Sequence, residues 1–179
     1  TRFSYTPLYR WTDGHQYFQR VTTDARGVVT EELLDANDQA RVTSVKDPFG
    51  TVISHKTVVF SILGKPELIE DHEIVSGQEK SVVRTRLEYD VAGQMVCCTL
   101  GENTPEAASW RYRYDAEGRK IEEIKPSLIA LASSYDAKGR LTSFTSSDGS
   151  IAWTYQYNSQ DLPEVVVNEI SGGVPRRSY

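Results

Sequence analysis

The chain has 179 residues, 39% of them apolar and 25% charged, with a formal net charge of −5 and no basic block. That balance is too ordered for wholesale disorder and disfavours a binder driven by phosphate contacts. No apolar run approaches the roughly 20 residues of a membrane helix, so insertion into a membrane by this segment is not expected.

A first pair of loose repeats, Thr23-Asp24-Ala-Arg-Gly27 and Lys46-Asp47-Pro-Phe-Gly50, lies in the first third of the chain. Between them falls a second turn signal, Leu34-Asp35-Ala-Asn37-Asp38. The stretches 51–62 and 80–89 read as long strands. The acidic run Glu67–Glu73 reads as a solvated loop or strand edge, and as the remnant of a decayed repeat near 68–71.

The pattern sharpens downstream. Tyr89-Asp90-Val-Ala-Gly93, Tyr114-Asp115-Ala-Glu-Gly118-Arg119, Tyr135-Asp136-Ala-Lys-Gly139-Arg140 and the degenerate Tyr157-Asn158-Ser-Gln-Asp161 form one series. With the two upstream copies, the Asp or Asn positions step by 23, 43, 25, 21 and 22 residues, and the step of 43 reads as two repeats. Between these copies fall Ser76-Gly77, Gly101–Asn103, Lys125-Pro126-Ser127 and Ser147-Asp148-Gly149, with Ser171-Gly172-Gly173 after the last. Turns every 11–13 residues predict strand, turn, strand along an antiparallel meander of repeated hairpins, all β. Asp at the first turn position accepts amide hydrogen bonds, and Gly at the fourth supplies the positive φ that closes a hairpin loop with a bulge. Asp161 tolerates that region better than most residues.

The strands alternate as half-buried strands do. Trp110, Tyr112 and Tyr114 fall on one face against Arg111 and Arg113; Trp153, Tyr155 and Tyr157 form a second such stripe. Tyr suits a partly wet face because its hydroxyl can stay hydrogen-bonded. The stripes read first as packing surface. Trp110, Tyr112, Trp153 and Tyr155 are also a candidate sugar- or protein-binding face.

Tyr114-Asp-Ala-Glu-Gly118-Arg119 and Tyr135-Asp-Ala-Lys-Gly139-Arg140-Leu141 resemble the YD repeats of the Rhs family, which includes bacterial polymorphic toxins, Tc-toxin shell subunits and teneurin adhesion proteins. Clear repeats cover 85–165 and degenerate ones 20–84, so residues 1–179 read as one YD-repeat segment. The resemblance implies a strip of hairpins that adds wall area to a hollow shell, with neighbouring YD-repeat segments and an enclosed C-terminal toxin domain as partners, in a secreted or cell-surface protein. It implies a structural role for the motif residues Tyr89, Asp90, Gly93, Tyr114, Asp115, Gly118, Arg119, Tyr135, Asp136, Gly139, Arg140, Tyr157 and Asn158. The rival is an adhesion module binding glycan or protein through the aromatic face.

Chemistry-bearing residues give weaker signals. Adjacent Cys97 and Cys98 point to opposite faces of a strand and make no C-x-x-C pair. His15, His55 and His72 are far apart in sequence and read as solvated or locally bonded. Asp47-Pro48-Phe49-Gly50 resembles one short piece of the self-cleaving core of the family but lacks its continuation. No G-x-S-x-G or calcium-loop motif is present. No catalytic residue, metal ligand, cofactor or nucleic-acid partner is expected, and the strand Glu164–Val167 is expected to be an unpaired edge guarded by Pro163, Glu164 and Glu169.

Overall fold

The computed structural model of the chain describes residues 2–10, 16–168 and 177–178. His15, Glu169 and Ser171-Gly172-Gly173, singled out above, lie outside the described residues. Every described element is a β-strand: β1 (Arg2–Arg10), β2 (Gln16–Thr23), β3 (Val29–Leu34), β4 (Ala40–Lys46), β5 (Val52–Phe60), β6 (Pro66–Val75), β7 (Gln78–Tyr89), β8 (Met95–Leu100), β9 (Ala108–Tyr114), β10 (Lys120–Ile124), β11 (Ala130–Tyr135), β12 (Leu141–Ser146), β13 (Ala152–Tyr157), β14 (Pro163–Asn168) and β15 (Arg177–Ser178). Strand order follows chain order. The fold is the antiparallel all-β meander that the turn spacing predicts.

The chain divides into two compact units. One comprises Thr1–Glu88 and Thr99–Ala107, the other Tyr89–Cys98 and Ala108–Tyr179. In the first, β1 to β7 pair antiparallel, each with its sequence neighbour. In the second, β9 to β15 do the same. Little of the described chain is fully buried. Leu33 and Leu34 on β3 are the only buried apolar residues among those described. As neighbours on a strand they face opposite sides of the sheet. The other described strand residues are half-buried or exposed, so cross-strand pairs and turns carry a large share of the stabilisation. Arg20 opposes Glu32, Glu70 opposes Arg84, and Arg113 opposes Glu122, each pair joined by an ion pair across its hairpin.

Three expectations are corrected. First, the acidic run Glu67–Glu73 is neither loop nor edge. It lies inside β6, paired to β5 on one side and β7 on the other. Glu70 is held there by Arg84 at 2.8 Å and by the hydroxyl of Thr57 at 3.0 Å, which removes the cost of placing a carboxylate mid-strand.

Second, the decayed repeat is Phe60-Ser61-Ile62-Leu63-Gly64-Lys65. Gly64 has φ 72°, and the Ser61 hydroxyl accepts the amides of Leu63 and Lys65 as the motif Asp does elsewhere. The step from Asp47 to Asp90 therefore holds three long strands of 9, 10 and 12 residues, with β5 and β7 on the stretches 51–62 and 80–89 that read as long. Asp24 and Asp47 consequently belong to the alternate row of turns. Leu34-Asp35 and Phe60-Ser61 are the copies that continue the Tyr-Asp series.

Third, Glu164–Val167 is not an unpaired edge. Val166 pairs with Ser178 and Val167 with Arg177, so β15 covers the end of β14.

Candidate functional site: the ladder of motif turns

Each Tyr-Asp motif begins with a carboxylate, or an equivalent oxygen, that closes its own loop. Asp115 Oδ1 accepts the amides of Glu117 at 3.1 Å and Arg119 at 2.8 Å. Asp136 does the same for Lys138 and Arg140, Asp90 for Ala92 and Gln94, and the Asn158 amide oxygen for Gln160 and Leu162. The backbone adds a second closure: the Asp115 amide donates to the Arg119 carbonyl, and the Gly118 amide to the Asp115 carbonyl. That geometry puts the fourth residue in the left-handed region. Gly93, Gly118 and Gly139 take φ of 77°, 82° and 82°, and Asp161 takes 62°.

The Arg after the turn works in two directions. Arg119 Nε donates back to Asp115 at 2.6 Å, and Arg140 Nε back to Asp136 at 2.7 Å. The other ends of the guanidinium groups reach the next motif, Arg119 to the Asp136 carbonyl and Arg140 to Asp161 at 2.6 Å. In copies with Gln at this position the amide makes the same reach: Gln94 donates to the Gly118 carbonyl and Gln39 to the Gly64 carbonyl. The Gln39 bond marks Leu34-Asp35 as a member of this row.

The motif Tyr completes the ladder. Arg119 stacks 5.0 Å from the centre of the Tyr135 ring, and Arg140 4.5 Å from that of Tyr157. Arg41 takes the same position over Phe60 at 4.6 Å. The hydroxyls of Tyr114, Tyr135 and Tyr157 donate to the carbonyls of Met95, Lys120 and Leu141. Each carbonyl belongs to the residue just after the preceding motif, so these three Tyr residues bond one motif back while Arg119 and Arg140 reach one motif forward. The register shifts at this Tyr, as between Ser134 and Tyr135 and between Gln156 and Tyr157. That is the bulge expected next to a left-handed closing residue.

These contacts set the charge states. The Arg140 guanidinium and then its amide hold the Asp136 carboxyl below the usual range. Burial works to raise Asp115, but the amide and guanidinium of Arg119 outweigh it and lower its pKa. Asp161 is lowered chiefly by its hydrogen bond to Lys138. All three stay ionised at neutral pH and are occupied by partners. A carboxylate so stabilised is a poor general base.

The aromatic stripes are where alternation places them. Trp110, Tyr112 and Tyr114 are half-buried and Arg111 and Arg113 exposed. Registers running from Tyr112 through Glu123 and Leu131 to Ser146, and from Phe144 to Trp153, put Tyr112, Phe144, Trp153 and Tyr155 on one face of the second unit. Tyr112 is raised by burial and by Glu123, while Lys120 lies 5.5 Å from its ring centre. Cys97 and Cys98 are half-buried and not joined in a disulfide, and burial raises the Cys98 thiol, which makes it less nucleophilic. A cleft of about 470 Å³ is lined by Phe18, Arg20, Asp35, Ala36 and Asp38, but Arg20 is paired with Glu32 and Asp35 with Arg41.

Sequence reasoning missed one constellation. His55 and His72 stand directly opposite each other on β5 and β6, with ring centres 4.8 Å apart. His55 Nδ1 lies 2.7 Å from the Ser44 hydroxyl, and His72 Nδ1 lies 2.7 Å from a Glu79 carboxylate oxygen. The carboxylate sits on the histidine that Ser44 does not touch, so the nucleophile–base–acid order of a triad is not built.

A family model described as RHS Repeat matches residues 135–170, which hold the third and fourth clear motifs and the strands between them. The ladder extends the same contacts beyond the matched span, to Tyr114, Asp115 and Arg119 in the second unit and to Asp35 and Ser61 in the first. No curated protein matches the chain. Among solved structures the chain is similar to the crystal structure of TcdB2-TccC3-Cdc42, at 15% identity and TM-score 0.46 over 90% of this chain and 11% of that one. It is also similar to the crystal structure of TcdB2-TccC3 without its hypervariable C-terminal region, at 13% identity and TM-score 0.44 over 90% and 11%. A third similar structure is the Tc holotoxin pore of Photorhabdus luminescens, at 12% identity and TM-score 0.47 over 94% and 11%. The chain thus spans about a ninth of the length of these structures.

Proposed function

We propose that this RHS-repeat chain is a non-catalytic wall segment of a larger β-shell, in a secreted or cell-surface protein whose shell encloses a toxin domain. One observation carries the reading. The Tyr, Asp and Arg side chains that define the repeat are engaged with one another from motif to motif, as in Arg140 with Asp136, Asp161 and Tyr157. Side chains so engaged with one another serve geometry. The hairpins of the motif row are bonded to their strand neighbours and, through Gln39, Gln94, Arg119 and Arg140, to the next turn, so adding hairpins extends the sheet. Electron microscopy of the protein encoded by the whole reading frame tests this: a closed β wall around a protease-protected domain supports it, and an open sheet with no enclosed domain overturns it.

A second reading rests on Tyr112, Trp153 and Tyr155, half-buried rings on one face of the kind that stack on sugars. In that reading the segment is an adhesion module. A glycan array distinguishes the two: a hit lost on Trp153→Ala favours adhesion, and its absence leaves the wall reading.

A further inference from the structure

We propose that His55 and His72 form a two-nitrogen site for a borderline transition-metal dication, which staples β5 to β6. Directly opposed residues on antiparallel strands have Cβ atoms about 4.5–5.5 Å apart, close enough for two imidazoles to share one ion. The ring centres lie 4.8 Å apart and the planes are inclined at 71°, so the rings meet edge to face and are not stacked.

The hydrogen bonds settle which nitrogens are available. A carboxylate accepts only, so the Glu79 contact holds the proton of His72 on Nδ1 and leaves the lone pair on Nε2. That Nε2 is buried and has no hydrogen-bond partner. A buried acceptor without a donor costs free energy that a Lewis acid would recover. The Ser44 hydroxyl can accept from His55 Nδ1 in the same way and free its Nε2. A carboxylate or hydroxyl behind each imidazole is the outer-shell pattern that orients histidine ligands and raises their basicity.

The charges around the pair are Glu70 and Glu79, with Arg84 engaged on Glu70. Net charge therefore does not oppose a cation. Among the described residues no group of three or more His, Cys, Asp or Glu could hold a metal. The site supplies two donors, water completes the shell, and imidazole nitrogens favour zinc, nickel or copper over calcium or magnesium.

Isothermal titration of the 179-residue chain with zinc chloride at pH 7.5 tests the site. One ion per chain is expected. His55→Gln and His72→Gln should each weaken binding at least tenfold, and Glu79→Gln by roughly 10- to 100-fold through loss of the outer shell. The double Cys97→Ser, Cys98→Ser variant and His15→Gln should leave affinity unchanged. Undiminished binding in either His55 or His72 variant, or loss confined to the Cys or His15 variants, overturns the assignment. Should a His variant fail to fold, ¹⁵N spectra of histidine-labelled wild-type chain decide: zinc must move the Nε2 resonances of both His55 and His72, and unmoved resonances overturn the proposal.

Discussion

At the scale of single residues, the turns differ in how well their residues suit their backbone. Leu128 closes the Lys125–Leu128 turn with φ 65° while 82% exposed, and its first residue is a lysine that cannot cap the loop as Asp does. A side chain in that region costs on the order of 1 kcal/mol, and this one recovers little through burial. Leu128→Gly is therefore expected to stabilise the chain by about 0.5–1 kcal/mol, less what the freer unfolded chain takes back, measured by urea denaturation. The opposite holds at Gly118. Its φ is 82°, and an added Cβ would lie 2.9 Å from the Gln94 amide nitrogen, whose bond to the Gly118 carbonyl would be disturbed as well. Gly118→Val should destabilise by about 1–3 kcal/mol, and an unchanged denaturation midpoint would contradict the turn geometry. His55 adds a pH dependence. Its folded-state pKa is lowered, first by burial and then by His72. The unfolded chain therefore binds the proton more readily as pH falls below about 6.5, so this contribution to stability is present above that value and lost below it. Replacing His55 with Gln should flatten the stability profile as pH falls below about 6.5.

At the scale of elements, the repeat is a set of couplings between hairpins. Arg140 holds Asp136 behind it, Asp161 ahead of it and the Tyr157 ring beneath it. A lysine offers one point charge where the guanidinium offers a fork and a flat face. Arg140→Lys should therefore cost more than the 0–1 kcal/mol of an isolated surface ion pair, and in a double-mutant cycle its loss should be non-additive with Tyr157→Leu, which removes the ring. Additive losses would show that ring and guanidinium act independently. These couplings also explain what the sequence disclosed. Where Tyr, Asp, Gly and Arg all serve the ladder, the turn is legible from residue type alone, as at 114–119 and 135–140. Where Phe60 and Ser61 replace Tyr and Asp, the same hydrogen bonds persist, but the pattern fades. The adjacent strands also lengthen to 9, 10 and 12 residues, so the spacing misleads as well. The His55–His72 pair was hidden by the same turn. Only a hairpin closing at Ser61–Gly64 brings position 55 opposite 72, and without that turn the register could not be read.

At the scale of the whole molecule, the C-terminal strand pair is where self-association is expected to be decided. Strand β14 carries Val165, Val166 and Val167 in a row, and its outer side is covered by two residues, through Val166 with Ser178 and Val167 with Arg177. An uncovered apolar strand offers free amides and carbonyls to another chain, and Pro163 and Glu164 guard only its start. Deleting residues 169–179 removes β15 and should convert a weakly associating chain into one that self-associates steeply with concentration. The register selects the variant that tests the route. Val166 opposes Tyr155 on the aromatic face, so a charge there would disturb packing as well as the edge. Val167 opposes Thr154 and points to the other face, where a lysine blocks strand addition without entering the aromatic stripe. Val167→Lys in the truncated chain should restore the light-scattering mass towards that of the full-length chain. If association persists with Val167→Lys but falls with Tyr155→Ser, the route is face-to-face packing of the aromatic stripe, because edge pairing depends on backbone groups that Tyr155→Ser leaves in place.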